Sequence, residues 1–406
     1  MKYSRPCTRA RFEGRRSPAL FSYRCVSLVF TLRTRELRAD NARVNVLFLL
    51  HGVGRHAKGW SRDPVAALQA AMKLYPECFE RGRSLDQYLS VVEIKYDDIF
   101  DTVLDRWAEL ADALPAPTGA FNWTRKVTQL LEKAGDERNL FARYGGDVLL
   151  YCGFALVARA ARLRINSLLA ATMAEENRAA LRARRTPPKF ALAAHSLGTT
   201  LAQDALYQLA TGRWVSDEEQ LAADPNFVAA LASTPPPREL ALNLHGLFLV
   251  SDTSPVLHQC GYYSELERNG VYDCHAVWSI NHELDPIGIV GGAFKPSAWR
   301  PDKKNVRVGH LHTDNVHDFA HYLAHPAAHS EVFRLLIPQF SGACYQSAQN
   351  LAEAPVWNGV GGALAGWPPE ERDKLRRKLR NAARFDQLPT KVSDATEKYF
   401  KAIDLL

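Results

Sequence analysis

The stretch Lys189-Phe-Ala-Leu-Ala-Ala-His-Ser-Leu-Gly-Thr-Thr-Leu-Ala-Gln203 constrains the fold of this chain more than any other. Phe190 to Ala194 is an apolar run of the length of one buried strand. It breaks at His195-Ser-Leu-Gly198, and apolar residues then recur at helical spacing as Leu201, Ala205, Leu206 and Leu209. A strand that turns this sharply into a helix needs small residues on either side of the turn, so that strand and helix can approach. Gly198 meets that need, and Ala194 stands at the other flank. The turn projects Ser196 at the N-terminus of the helix, where backbone N–H groups and the helix dipole favour negative charge. A serine in this place can also serve merely as a helix N-cap, so other segments must decide.

Upstream, Val44-Asn-Val-Leu-Phe-Leu-Leu50 runs directly into His51-Gly-Val-Gly-Arg55. A strand ending in His-Gly-x-Gly can turn a backbone N–H toward a substrate carbonyl oxygen. Val53 N–H and Leu197 N–H are the expected pair of donors, with Gly52 and Gly54 giving the loop its freedom. Downstream, Leu247 to Val250 reads as a further buried strand that ends at Ser251-Asp-Thr-Ser-Pro255, with Pro235-Pro-Pro237 marking the loop before it. Asp273 to Ile280 reads as another strand, followed by Asn281-His-Glu-Leu-Asp-Pro-Ile287. A histidine-rich stretch, His310 to Pro326, comes last. The order serine, carboxylate, histidine is that of a nucleophile elbow with its triad partners.

With these pieces the chain resembles an α/β-hydrolase of the lipase and serine-esterase type, and is similar to bacterial serine esterases and lipase-like deacylases. The resemblance rests on His51-Gly-Val-Gly54, His195-Ser-Leu-Gly198, Asp285-Pro-Ile287 and the His317 to Pro326 stretch, over about residues 44–338. Ala194 departs from the glycine usual there, and Asp252 stands where a glycine often follows that strand. The resemblance implies an α/β-hydrolase fold: a mostly parallel central sheet with helices on both faces. It implies two-step acyl transfer, with Ser196 as nucleophile, a late histidine as base and Asp285 as acid. A small-molecule or lipid ester is the expected substrate, and no cofactor is expected. The same triad serves acyltransferases, thioesterases and peptidases, and a silent fold used for binding is the non-enzymatic alternative.

The expected base is His317, in a loop-like segment just before a helical run, with His312 and His321 as alternatives. Asp252 is the alternative acid, since some members of the fold carry it after the preceding strand; Asp285 itself has an Asx-turn reading before proline. His51 is expected to hydrogen-bond within its own loop, and His195 to pack beside the nucleophile as a satisfied histidine. His317, His321 and His325 fall at helical spacing, but no glutamate follows His317 as a zinc-protease helix requires, so no metal is expected.

About 90 residues of mainly helical pattern separate Ile99 from Pro188, and part of this insertion is expected to cap Ser196. The expected organisation is a flexible basic leader over 1–20, a hydrolase domain over 21–338 with the insertion at about 99–188, and a helical C-terminal extension over 339–406. Phe21 to Leu37 alternates as an early antiparallel strand would. The net charge of +7 is modest for 406 residues. Its basic run at 372–380 is expected to be a solvated helix that touches an anionic membrane at most weakly. No nucleic-acid partner, phosphate-binding loop or dinucleotide fingerprint is expected. Seven cysteines, odd in number and irregularly spaced, suit reduced thiols. Without a signal peptide or membrane span, the expected location is cytoplasmic.

Overall fold

The computed structural model describes residues 44–113, 147–148, 150–211, 213, 244–260, 276–282, 285, 304–310, 316–354 and 356–357. The leader, the early strand at 21–37, the basic run at 372–380 and most of the C-terminal extension lie outside them.

Six strands form one sheet: β1 (Asn45–Leu50), β2 (Leu89–Ile94), β3 (Phe190–His195), β4 (Leu244–Val250), β5 (Val277–His282) and β6 (Lys304–Val308). Their order is β2-β1-β3-β4-β5-β6, and every pairing is parallel. The chain is thus of the α/β class. β1 and β3 are buried at every position, as befits central parallel strands covered on both faces.

Alternation along each strand splits the core in two. Val46, Phe48 and Leu50, with Leu192 and Leu249, face a layer built from α3 (Ala155–Arg182) and α4 (Leu197–Thr211). Leu47, Leu49, Phe248 and Val250 face the other layer, built from α1 (Arg62–Met72), α6 (Phe319–Ala324), α7 (Pro326–Leu336) and α8 (Ala343–Ala352). Two more helices, α2 (Asp97–Ala113) and the short α5 (Ser254–Leu257), follow β2 and β4. Within the insertion, α3 is a packing layer: Asn166 Nδ2 donates to Ala205 O of α4 at 3.0 Å. The expectation of a cap falls largely on residues outside the described ones.

The connections leave β1 in one direction toward β2 and, from β3 on, in the other. β1 and β3 therefore flank the point where the winding reverses, and open α/β sheets generally bind their ligands at the carboxyl ends of strands so placed. Both sequence motifs singled out above, His51-Gly-Val-Gly54 and His195-Ser-Leu-Gly198, sit at those two strand ends.

The structure corrects one expectation outright. Cys78 and Cys344 form a disulfide, with their Cα atoms 6.0 Å apart across 266 residues of sequence. The loop after α1 and the start of α8 meet only in the folded molecule, so spacing along the chain carried no trace of the pair. Cys152 is a free thiol among the described residues. No helix among the described residues is long and apolar enough to cross a membrane.

Candidate active site

Ser196 occupies the turn between β3 and α4 with φ +53°, in the left-handed region. Several hydrogen bonds hold it there. Its N–H donates to Val250 O at 2.9 Å. Its carbonyl oxygen accepts from Thr199 N at 2.8 Å, Thr199 Oγ1 at 2.7 Å and Thr253 Oγ1 at 2.8 Å. Leu197 opens α4, so its backbone lies at that helix's N-terminus.

The two glycine motifs meet at this turn. A Cβ on Gly52 would stand 2.8 Å from Ser196 Cβ, and a Cβ on Gly198 would run into the His51 carbonyl oxygen. Only glycine allows the loop after β1 to lie against the serine turn this closely. Gly54 has φ +103°, which glycine adopts without strain. Its N–H donates to Asp147 Oδ2 at 2.6 Å. Tyr96 Oη donates to Gly52 O at 2.7 Å, and His51 Nδ1 donates to the same carbonyl at 2.8 Å. Asp97 accepts from the His56 backbone N–H and lies 3.6 Å from His51 Nε2. Burial opposes ionisation of Asp97, but His51 and His56 outweigh it and hold the carboxyl well below its usual range. Asp147 goes the other way. Burial, reinforced by Asp101 and Asp97, pushes it up to about 6 against the Gly54 N–H bond.

Asp285 and His317 are brought together. His317 Nδ1 lies 2.7 Å from Asp285 Oδ2, and both side chains are buried. Ser251 Oγ and Tyr322 Oη donate to the same carboxylate oxygen at 2.7 and 2.6 Å. Burial works against the charge on Asp285. The His317 ring, its hydrogen bond and those of Tyr322 and Ser251 prevail, and hold the carboxyl well below its usual range. With Nδ1 donating to the carboxylate, the neutral His317 ring has its lone pair on Nε2, the arrangement a general base needs.

The alternative residues have other work. Asp252 caps the turn into α5, accepting from Ser254 N at 3.1 Å and Ser254 Oγ at 2.7 Å. His321 lies in α6 with Nε2 donating to His310 O at 3.0 Å. His312 lies outside the described residues. His195 is buried, stacked on Phe319 at 5.1 Å and 4.7 Å from the His317 ring. Its Nε2 finds no hydrogen-bond partner among the described residues. Burial, and then the charge of His317, keep His195 well below the usual histidine range.

Ser196 Oγ is buried and takes no hydrogen bond among the described residues, so the serine-to-histidine bond is not made in this conformation. Sequence reasoning missed the supports of the site: Ser251, Tyr322, Thr199, Thr253, Asp97 and Asp147. Of these, only Ser251 carries a local signal, since it follows a buried strand with φ +51° in the same type of turn as Ser196.

The helical face of His317, His321 and His325 does not form. His317 precedes α6, and His325 is extended between α6 and α7 because Pro326 follows it. Among the described residues, side chains of metal-ligating type instead gather in two groups, His51 with His56 and Asp97, and His282 with His310 and His321. Against models of known protein families, curated proteins and solved structures, the chain finds no match.

Proposed function

We propose that this chain is a serine hydrolase of the α/β-hydrolase fold, cleaving carboxylic esters through an acyl-enzyme on Ser196. The observation that carries the proposal is the Asp285–His317 pair at 2.7 Å, in a fold whose positive-φ serine stands at the reversal of the sheet. A buried carboxylate bonded to histidine Nδ1 has no structural need of a strained serine nearby; acyl transfer needs both.

In this reading the His317 Nε2 takes the Ser196 proton as Oγ attacks the ester carbonyl. Asp285 keeps the tautomer and stabilises the imidazolium, while Ser251 and Tyr322 keep Asp285 in place. Val53 N–H and Leu197 N–H bind the oxyanion. His317 then returns the proton to the leaving alcohol and activates water for release of the acyl group. Rotation of the Ser196 hydroxyl toward His317 arms the site when substrate enters, as catalytic hydrogen bonds often tighten only then. The substrate is a small-molecule or lipid ester, with thioesters and acyl transfer open to the same groups. A cap from the insertion and a helical C-terminal tail complete the proposed architecture.

A fluorophosphonate probe with intact-mass readout tests this. One covalent adduct on the wild type, absent from Ser196→Ala, is expected. A folded wild type that takes no adduct would overturn the reading and favour a binding module.

A further inference from the structure

We propose that His282, His310 and His321 form a binding site for one divalent transition-metal ion of the zinc class. The three come from separate segments: the last residue of β5, the chain just after β6, and the middle of α6. All three are buried. Each offers a ring nitrogen, and these atoms lie within 4.8 Å of one another. A metal among nitrogens so placed stands at most about 2.8 Å from each, against about 2.0–2.1 Å in a formed zinc site. The required contraction is under one ångström per side chain.

The present contacts show what loading displaces. His282 Nε2 and His321 Nε2 both lie on the His310 carbonyl oxygen, at 2.7 and 3.0 Å. The rings of His310 and His321 stack at 4.0 Å. Binding through the Nε2 atoms of His282 and His321 frees the His310 carbonyl of its two N–H donors. His325 is close by but committed, with Nε2 donating to Trp357 O at 2.8 Å and Nδ1 accepting from Ala327 N at 3.1 Å. Among the described residues the ligand set is therefore three imidazoles, with water to complete the shell. Three imidazoles select zinc, copper or nickel over calcium or magnesium.

The other group, at His51, His56 and Asp97, is a poorer cation site. Lys95 Nζ already stands 3.4 Å from Asp97 Oδ1, and both rings donate through Nδ1 to loop carbonyls.

The site abuts the proposed acid. His282 N–H donates to Tyr322 Oη at 3.1 Å, and Asp285 N–H donates to His282 O at 3.2 Å. A bound ion thus ties β5 to α6 on either side of Asp285, and its expected effect is to stiffen that support.

The test uses the full chain, stripped with a chelator and titrated with zinc against a chromophoric competitor. One zinc per chain is expected, with a rise in Tm. His310→Gln and His321→Gln are expected to weaken binding by about tenfold or more, and His56→Gln to leave it unchanged. X-ray absorption at the zinc edge on the wild type keeps the test open if a variant does not fold. Three imidazoles in the shell support the site; sulfur, or fewer than three imidazoles, overturns it. So do absence of stoichiometric zinc from the folded wild type, and loss of zinc in His56→Gln but not in His310→Gln. Because metal content is read and not activity, failure here leaves the serine-hydrolase proposal standing, and failure of probe labelling leaves this one.

Discussion

A residue with a Cβ held at φ +53°, as Ser196 is, carries strain on the order of 1–3 kcal/mol. Thr199 and Thr253 hold its carbonyl so that the strain cannot relax locally. Ser196→Ala and Ser196→Gly both delete the hydroxyl, but only glycine removes the strain. Ser196→Gly is expected to be the more stable by about 1 kcal/mol in urea unfolding, and equal midpoints would show that the turn stores nothing. Asp147 offers a second test, through pH. Its folded pKa of about 6 lies above the 3.8 of an aspartate in an unfolded chain. Between those values the folded state holds the proton and the unfolded state has released it, so stability falls as pH rises through that window. The wild type is expected to lose about 2 kcal/mol relative to Asp147→Asn between pH 4 and 7, read as the difference of two urea series. Parallel series would sink the claim. Ser196, Asp285 and His317 were legible in the sequence because each stands in a turn with its own local pattern. Asp147 and Tyr322 were not, because they reach their partners only across the fold.

At the scale of elements, legibility follows burial. β1, β3 and β4 show as apolar runs because both faces of each are covered. β6 escaped notice because, among the described residues, it pairs with β5 alone and exposes Lys304, Asn305 and Arg307, which leaves Val306 and Val308 as its apolar signal. The insertion read as helical, and α3 is a helix of 28 residues, yet nothing in its periodicity told a packing layer from a lid. The junction of β1 and α4 is the most exacting contact between elements. Gly198 lies where any Cβ meets the His51 carbonyl, which is backbone and cannot swing aside. Gly198→Ala must therefore push the loop after β1 away from the serine turn. Overpacking of this kind costs about 1–3 kcal/mol. The displaced loop also carries Val53, so probe labelling of Ser196 is expected to slow sharply while circular dichroism stays native. Unchanged labelling would show that loop and turn are not coupled as proposed.

Across the whole molecule, the disulfide joins two elements of the same layer from far apart in sequence. Cys78 follows α1 and Cys344 begins α8, and between them runs nearly the entire sheet. Closing so long a loop restricts the unfolded chain strongly, and removal of such a bridge typically costs about 2–5 kcal/mol. The neighbouring packing is aromatic, with Phe79 against Phe333 and Phe340, so the cysteines are held near one another even when reduced. Reduction is therefore expected to lower stability without unfolding the protein. Cys344→Ser and the reduced wild type should share one urea midpoint, below that of the oxidised protein. Peptide mapping should find Cys78 linked to Cys344 and the link lost on reduction. A wild type whose midpoint ignores reductant would restore the expectation of reduced thiols. A confirmed bridge would remove the support that reduced thiols lent to a cytoplasmic location, since disulfides persist chiefly in oxidising compartments.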